Sequence, residues 1–420
     1  MKIRNLLLTV ATVFIANAAF ANGFQVLLQG TKQIGRGNVG VGYGPDASSL
    51  FFNPGALSFL ESSTVQVGMS PVMSNISYRG LDGTTKYSSN SPMGTPFQAY
   101  GVYRPSADSP WAFGLGVFTP FGSTVTYDNE WTGKYSLQEI SLQSIYIQPT
   151  VSYRINDMIS VGGGLDIVTG GVQFKKAVSA PGGDVGFEMD GNTLQFGFNL
   201  GVFAQISEKF SAGINYRSGV DMKVEGGDAT FDVPNDFIGD RLFGDAYTPG
   251  QEMKAKFNAT LPLPSTIAVG IGYNATDKLS FGLDFNYVTW SVYEELKVEF
   301  PDGEYPAIAY DRKWENSYII NFGAEYKVTD AFTARAGAYY DTTPVPDGHL
   351  TPESPDANAL GLSCGVSYMF SEKFGVDAAF LFTNKEQREN IIPEGVDTGG
   401  MNGVYKASAY IPSLSLNYNF

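Results

Sequence analysis

The chain has 420 residues, of which 14% are aromatic, 16% charged and 49 are glycine, with a formal net charge of −15. An ordinary soluble domain carries roughly 25% charged residues, and the acidic balance excludes nucleic acid or anionic lipid as a partner held by bulk attraction. Beyond residue 21 no run of about 18 apolar residues occurs, which excludes a helical membrane protein, and the single Cys364 excludes an internal disulfide.

The first segment reads as a targeting sequence. Lys2 and Arg4 precede the short apolar stretch Leu6 to Ile15, and Ala19-Phe20-Ala21 puts small residues at the two positions a signal peptidase reads. Residues 1–21 are therefore expected to be a signal peptide, with a mature chain starting Asn22-Gly23-Phe24. Residues 22–62 lack sustained alternation and are punctuated by Gly35-Arg36-Gly37, Gly44-Pro45-Asp46 and Asn53-Pro54-Gly55, which mark tight turns and irregular chain. Their apolar content (Leu27, Leu28, Leu50, Phe51, Phe52 and Leu57 among others) argues against a disordered leader. The expectation is a plug folded into a lumen.

From residue 63 to 420 the pattern changes to period two. Trp111, Phe113, Leu115 and Val117 oppose Ala112, Gly114 and Gly116. Leu194, Phe196, Phe198, Leu200 and Val202 oppose Gln195, Gly197, Asn199 and Gly201. Leu279, Phe281, Leu283, Phe285 and Tyr287 oppose Ser280, Gly282, Asp284 and Asn286. The bulky face is apolar and the other small or polar, the reverse of a soluble sandwich, so the bulky face is expected to meet lipid. Short turns at 154–157, 207–209, 274–278, 327–330 and 371–373, and a longer one at 104–110, alternate with long segments near 74–95, 119–139, 170–192, 222–262, 294–315, 342–358 and 384–404. That rhythm predicts an all-β fold: a transmembrane antiparallel barrel of about 14 strands with an N-terminal hatch, its short turns facing the periplasm. A closed barrel of this size leaves no unpaired edge in lipid and has room inside for a plug.

The long segments 170–192, with Phe174, and 222–262, with Phe237 and Phe243, carry more apolar residues than exposed loops usually do, and an apolar groove facing outward is expected there. The only histidine, His349, falls in the Pro-rich segment Thr343 to Pro355, read as an exposed loop without a positioned partner. One histidine and one cysteine cannot build a transition-metal site, the acidic residues Asp228 and Asp232 lack dedicated calcium-loop spacing, and Gly162-Gly163-Gly164 lies mid-strand and so cradles no phosphate. Neither an enzyme nor a cofactor is expected. The chain closes on Leu414, Leu416, Tyr418 and Phe420 alternating with Ser413, Ser415, Asn417 and Asn419, a strand suited to an aromatic girdle.

The start Asn22-Gly23-Phe24-Gln25-Val26, then Ile34-Gly35-Arg36-Gly37, Asp46-Ala47-Ser48, Asn53-Pro54, Trp131-Thr132-Gly133, Leu263-Pro264-Ser265-Thr266, Trp314 and Thr343-Pro344-Val345-Pro346-Asp347 resembles the FadL/TodX family of outer-membrane transporters for long-chain fatty acids and hydrocarbons, over essentially the whole mature chain. The resemblance implies a fourteen-stranded barrel with a hatch, in the outer membrane of a Gram-negative bacterium. It also implies a route from an outer groove to a pocket above the hatch and sideways out at a kink in the third strand. By position, Phe24 corresponds to the aromatic under the pocket, Asn53-Pro54 to the hatch motif, and Pro120-Phe121-Gly122 to the kink, where proline removes a ladder hydrogen bond. Lys175 or Lys176, and Arg312 or Lys313, correspond to the basic side chains that hold a carboxylate. One departure is Asn53-Pro54-Gly55-Ala56 where the family reads Asn-Pro-Ala. The partners so implied are a hydrophobic small molecule, most naturally a long-chain fatty acid, and outer-membrane lipid, with the protein a monomer. Uptake of neutral aromatic hydrocarbons, and a structural or adhesive surface barrel, stay open as alternatives.

Overall fold

Successive side chains of a strand point to opposite sides, so a strand that alternates bulky apolar with small polar residues must separate two unlike environments. In the computed structural model, which describes residues 23–244, 247–250, 252–301 and 305–420, such strands form a closed antiparallel barrel of 14 strands. The expected signal peptide at 1–21 lies outside the described residues.

Strand one joins β1 (Thr64–Met69) to β2 (Met73–Arg79), strand two β3 (Lys86–Ser88) to β4 (Phe97–Tyr103), and strand three β5 (Trp111–Phe118) to β6 (Gly122–Thr126). Strands four to six are the unbroken β7 (Glu139–Arg154), β8 (Ile159–Ala180) and β9 (Gly183–Gln205). Then come β10 (Phe210–Arg217) with β11 (Val220–Asp232), β12 (Met253–Leu263) with β13 (Thr266–Asn274), β14 (Leu279–Val288) with β15 (Glu295–Glu299), and β16 (Ile308–Asp311) with β17 (Ser317–Lys327). The last four are β18 (Phe332–Asp341), β19 (Ala359–Met369), β20 (Phe374–Lys385) with β21 (Arg388–Asn390), and β22 (Gly403–Asn419). The barrel closes where β22 pairs with β1, Asn419 opposite Thr64, and with β2, Tyr410 opposite Met73.

The bulky face looks outward as the alternation demands. Phe196 is 62% exposed and Leu200 52%, while Gln148, Asn199 and Asp284 on inner faces are buried. At one end the turns are held by single side chains. Asn156 Oδ1 accepts the N–H groups of Met158 (2.9 Å) and Ile159 (2.8 Å). Ser207, Thr276 and Ser371 hydroxyls do the same for Phe210, Leu279 and Phe374. These short polar side chains substitute for a backbone partner and so permit a tight reversal.

At the other end the structure differs from the reading of 170–192 and 222–262 as loops. β8 and β9 continue until Ala180 pairs with Gly183, leaving only a two-residue turn, and β11 and β12 likewise extend to Phe231 opposite Met253. The alternation simply persists there, with Val220, Met222 and Val224 buried on the inner face. Only the short helix α3 (Asp236–Phe243) interrupts it, with the Asn235 side chain capping the Ile238 N–H. His349 also departs from expectation. It is buried rather than exposed, because Arg388 donates to the carbonyls of Val345 (2.7 Å) and Asp356 (3.2 Å) and Asn390 donates to that of Leu350 (3.0 Å), drawing the segment down onto the barrel.

Residues 23–62 pack against inward-facing residues of these strands. They carry two helical turns, α1 (Thr31–Gly35) and α2 (Ser49–Phe52), and a 3-10 turn over Pro54–Phe59. A segment with so little regular structure has backbone groups that must find partners elsewhere, and inward side chains of the wall supply them. Asp284 accepts the N–H groups of Gly40 (2.7 Å) and Val41 (2.9 Å), Asn321 donates to Gly37 (2.7 Å), Gln148 to Leu50 (2.8 Å) and Arg104 to Ser58 (2.6 Å). Asn53 donates to Val41 (2.8 Å) and Val202 (3.0 Å) and accepts the Gly55 N–H (3.1 Å). Wall glycines allow this close approach: a Cβ on Gly162 would overlap the Pro54 backbone, and one on Gly337 that of Gly37.

Candidate functional site

The pairing of strands two and three is incomplete. It ends at Gln98 opposite Phe118 and resumes at the Asn90 N–H, which donates to the Thr126 carbonyl (2.7 Å). Between these points strand two turns to its other neighbour, with the N–H of Val72 donating to Gly94 (2.8 Å). Pro120 has no N–H to offer the ladder, and the edge left free on strand three is taken by the N-terminal segment. The Val26 N–H donates to Pro120 (2.8 Å), and Gly122 donates to Phe24 (3.0 Å). The Phe121 carbonyl turns the other way, to the Ser144 hydroxyl (2.8 Å).

Two cavities meet here. The first, of about 340 Å³, follows the gap: Phe24 to Val26 on one side, Pro92 to Phe97 and Phe121 to Val125 on the others. The second, of about 120 Å³, lies under the long hairpins and is lined by Phe174, Phe187, Met222, Val224, Phe257, Leu261, Tyr293, Val298, Tyr310 and Trp314, among others. Five residues, Phe24, Ser123, Leu142, Glu353 and Ser354, line both. Phe24 is held in this partition by aromatic neighbours, with ring centroids 5.1 Å from Trp314 and 5.5 Å from Trp290. Such pairs contribute about 0.5–1.5 kcal/mol each beyond area burial.

Two cations enter the second cavity. Lys176 donates to the Tyr310 hydroxyl (2.9 Å). Arg312, on the connection between β16 and β17, donates to Glu353 Oε1 (3.0 Å) and to the Thr398 carbonyl (3.1 Å), while its buried Nε has no hydrogen-bond partner among the described residues. Burial works against the guanidinium charge, but Tyr293 and Glu353 more than offset it and hold the Arg312 pKa above the ordinary arginine value. A charged donor in such a place contributes roughly 1.5–3 kcal/mol per hydrogen bond to a carboxylate.

Of the residues singled out from the sequence, Phe24, Phe174, Lys176 and Arg312 come together at the second cavity, and Phe121 and Gly122 line the first. Pro120 joins them through its carbonyl, and Asn53 with Pro54 sits deeper, against the Val202 and Gly162 backbones. The others stand apart. Lys175 points away from Lys176 and lies 3.4 Å from Glu188, and Lys313 pairs with Asp311 (2.6 Å). Phe237 is 62% exposed, and Phe243 packs on Phe231 and Tyr305, so neither lines the cavities. Strand parity was the signal that separates Phe174 and Lys176 from Lys175. Glu353, Tyr293 and Tyr310 carried no local signal, because the segments that bring them in have no period.

Over residues 12–420 the chain matches the model of a family described as outer membrane protein transport protein (OMPP1/FadL/TodX). It is 27% identical over 435 residues to a 47 kDa outer membrane protein of Pasteurella multocida, covering 100% of this chain and 99% of that one. It is 24% identical over 446 residues to a long-chain fatty acid transport protein of Escherichia coli, covering 98% of each. In fold it resembles the crystal structure of a Pseudomonas aeruginosa FadL homologue, with a TM-score of 0.85 at 21% identity, covering 95% of this chain and 100% of the other. The chain belongs to the OMPP1/FadL/TodX family of outer-membrane transport proteins.

Proposed function

We propose that this protein takes up long-chain fatty acids, with residues 22–62 as the hatch of a barrel formed by 63–420. The observation that carries this reading is an apolar cavity into which only two cations, Lys176 and Arg312, project among the described residues. An alkyl chain entering it gains about 0.8 kcal/mol per methylene buried, and the cations supply donors for one carboxylate. From there the ligand passes Phe24 into the cavity along the gap and leaves sideways between strands two and three, into lipid. The interrupted pairing from Gln98 to Asn90 supports that exit. Capture needs no energy source, and the whole route lies within one chain, so a monomer suffices.

A second reading, uptake of neutral aromatic hydrocarbons, is favoured by one observation: the Arg312 charge is already met by Glu353. The two are separated by uptake of labelled oleate and labelled toluene in cells lacking their own transporter and expressing this protein, beside Lys176→Ala and Arg312→Ala. The fatty-acid reading expects oleate uptake that falls about tenfold or more in at least one variant, as about 1.5–3 kcal/mol per charged hydrogen bond implies. Toluene uptake alone moves the substrate to neutral hydrocarbons. Movement of neither, with the barrel assembled, leaves a structural or adhesive surface protein.

A further inference from the structure

Among the described residues, Glu353 is the sole acidic side chain lining either cavity, and it lines both. It is placed by a tight turn in which Thr351 pairs with Ser354, and the Tyr127 hydroxyl donates to the adjacent Pro352 carbonyl (3.4 Å). Its carboxylate is 3.0 Å from the Arg312 guanidinium, with the two side chains 13% and 6% exposed. Lys176 has a phenol hydroxyl as partner and no ion pair among the described residues. Lys385, the cation of the first cavity, is already paired with Asp356. The second cavity thus holds two cations and one acid, a balance of one positive charge.

We infer that Glu353 determines the pocket's choice between anionic and neutral hydrophobic ligands, as a built-in competitor for the Arg312 guanidinium; this rests on the fatty-acid reading. With Glu353 in place, a neutral ligand can enter without leaving Arg312 as a bare buried cation, a state that is strongly unfavourable. A monocarboxylate then meets the one charge left over, at Lys176, and must compete with Glu353 for the Arg312 guanidinium. The residue therefore lowers the advantage of the anion over its neutral analogue. It does so from a position that lines both cavities.

The test is equilibrium binding of labelled oleate and labelled methyl oleate to the purified full chain in detergent, for the unaltered protein, Glu353→Gln and Glu353→Asp. Removing the competing charge raises the ratio of oleate to methyl oleate affinity about tenfold, the factor that corresponds to 1.4 kcal/mol. Aspartate, one methylene shorter, loosens the pair and raises the ratio partway, so it reads the same effect if the glutamine variant does not assemble. A ratio that stays constant in both variants, with the two affinities falling together, overturns the inference and leaves Glu353 as a prop of its turn. An unaltered protein that binds the ester and not oleate sinks the fatty-acid reading, and the inference with it.

Discussion

Inside the barrel wall Glu325 stands between two guanidinium groups, 2.6 Å from Arg335 and 3.7 Å from Arg36 of the N-terminal segment. Arg335 also donates to Ser367, whose hydroxyl donates in turn to Asp377. The group ties strand ten to its neighbours and to the segment they enclose. Glu325→Ala would leave two buried cations short of a partner, and a loss of about 3–5 kcal/mol is expected. The midpoint of denaturant unfolding in lipid vesicles checks it; an unmoved midpoint would mean that water reaches these groups. At this scale the sequence left Lys175 and Lys176 undivided, and parity separates them only once β8 is seen to run through both. Lys176 shares a face with Phe174 and Lys175 does not. The pairing of Arg312 with Glu353, 41 residues further along, left no trace in local pattern.

Among the elements, strand three shows how one residue changes a neighbourhood. Pro120 interrupts β5 and β6, the freed edge is covered by residues 24 to 26, and a cavity opens between strands two and three. Pro120→Ala returns an N–H and relaxes the backbone restriction on Thr119. If the gap is the exit, oleate uptake slows several-fold while equilibrium binding changes by less than about 1 kcal/mol, the size of one neutral hydrogen bond. Parallel measurement of uptake and binding separates the two, and uptake at the unaltered rate would place the exit elsewhere. The proline was legible as a kink from its chemistry. That the N-terminal segment would be the strand's substitute partner was not, since that pairing joins residues as far apart in the chain as Gln25 and Phe121 and depends on how the segment packs against the wall.

For the molecule as a whole, the proposed hatch makes the difference between a water-filled pore and a blocked one. Residues 23–62 are anchored by Asp284, Asn321, Gln148 and Arg104 from distant strands, so the intact protein is expected to show no large steady conductance in planar bilayers. A variant lacking 23–62, assembled into the same bilayers, is expected to conduct, since a barrel of about 14 strands encloses more than its inward side chains fill. Steady porin-like steps from the intact protein would overturn the hatch. The barrel itself could be read from the chain because its cause is local: a period of two, short Ser, Thr and Asn turns, and bulky residues on the face that meets lipid. The same persistence of alternation extended β8, β9, β11 and β12 into segments that the spacing of the short turns had suggested were loops. The ligand cavities could not be read in this way. Lys176 and Tyr310 meet across 134 positions, and Phe24, Glu353 and Trp314 converge only once the ring has closed. Residue period records which face a side chain takes; which faces confront one another across the lumen is decided by closure and by the segment inside it.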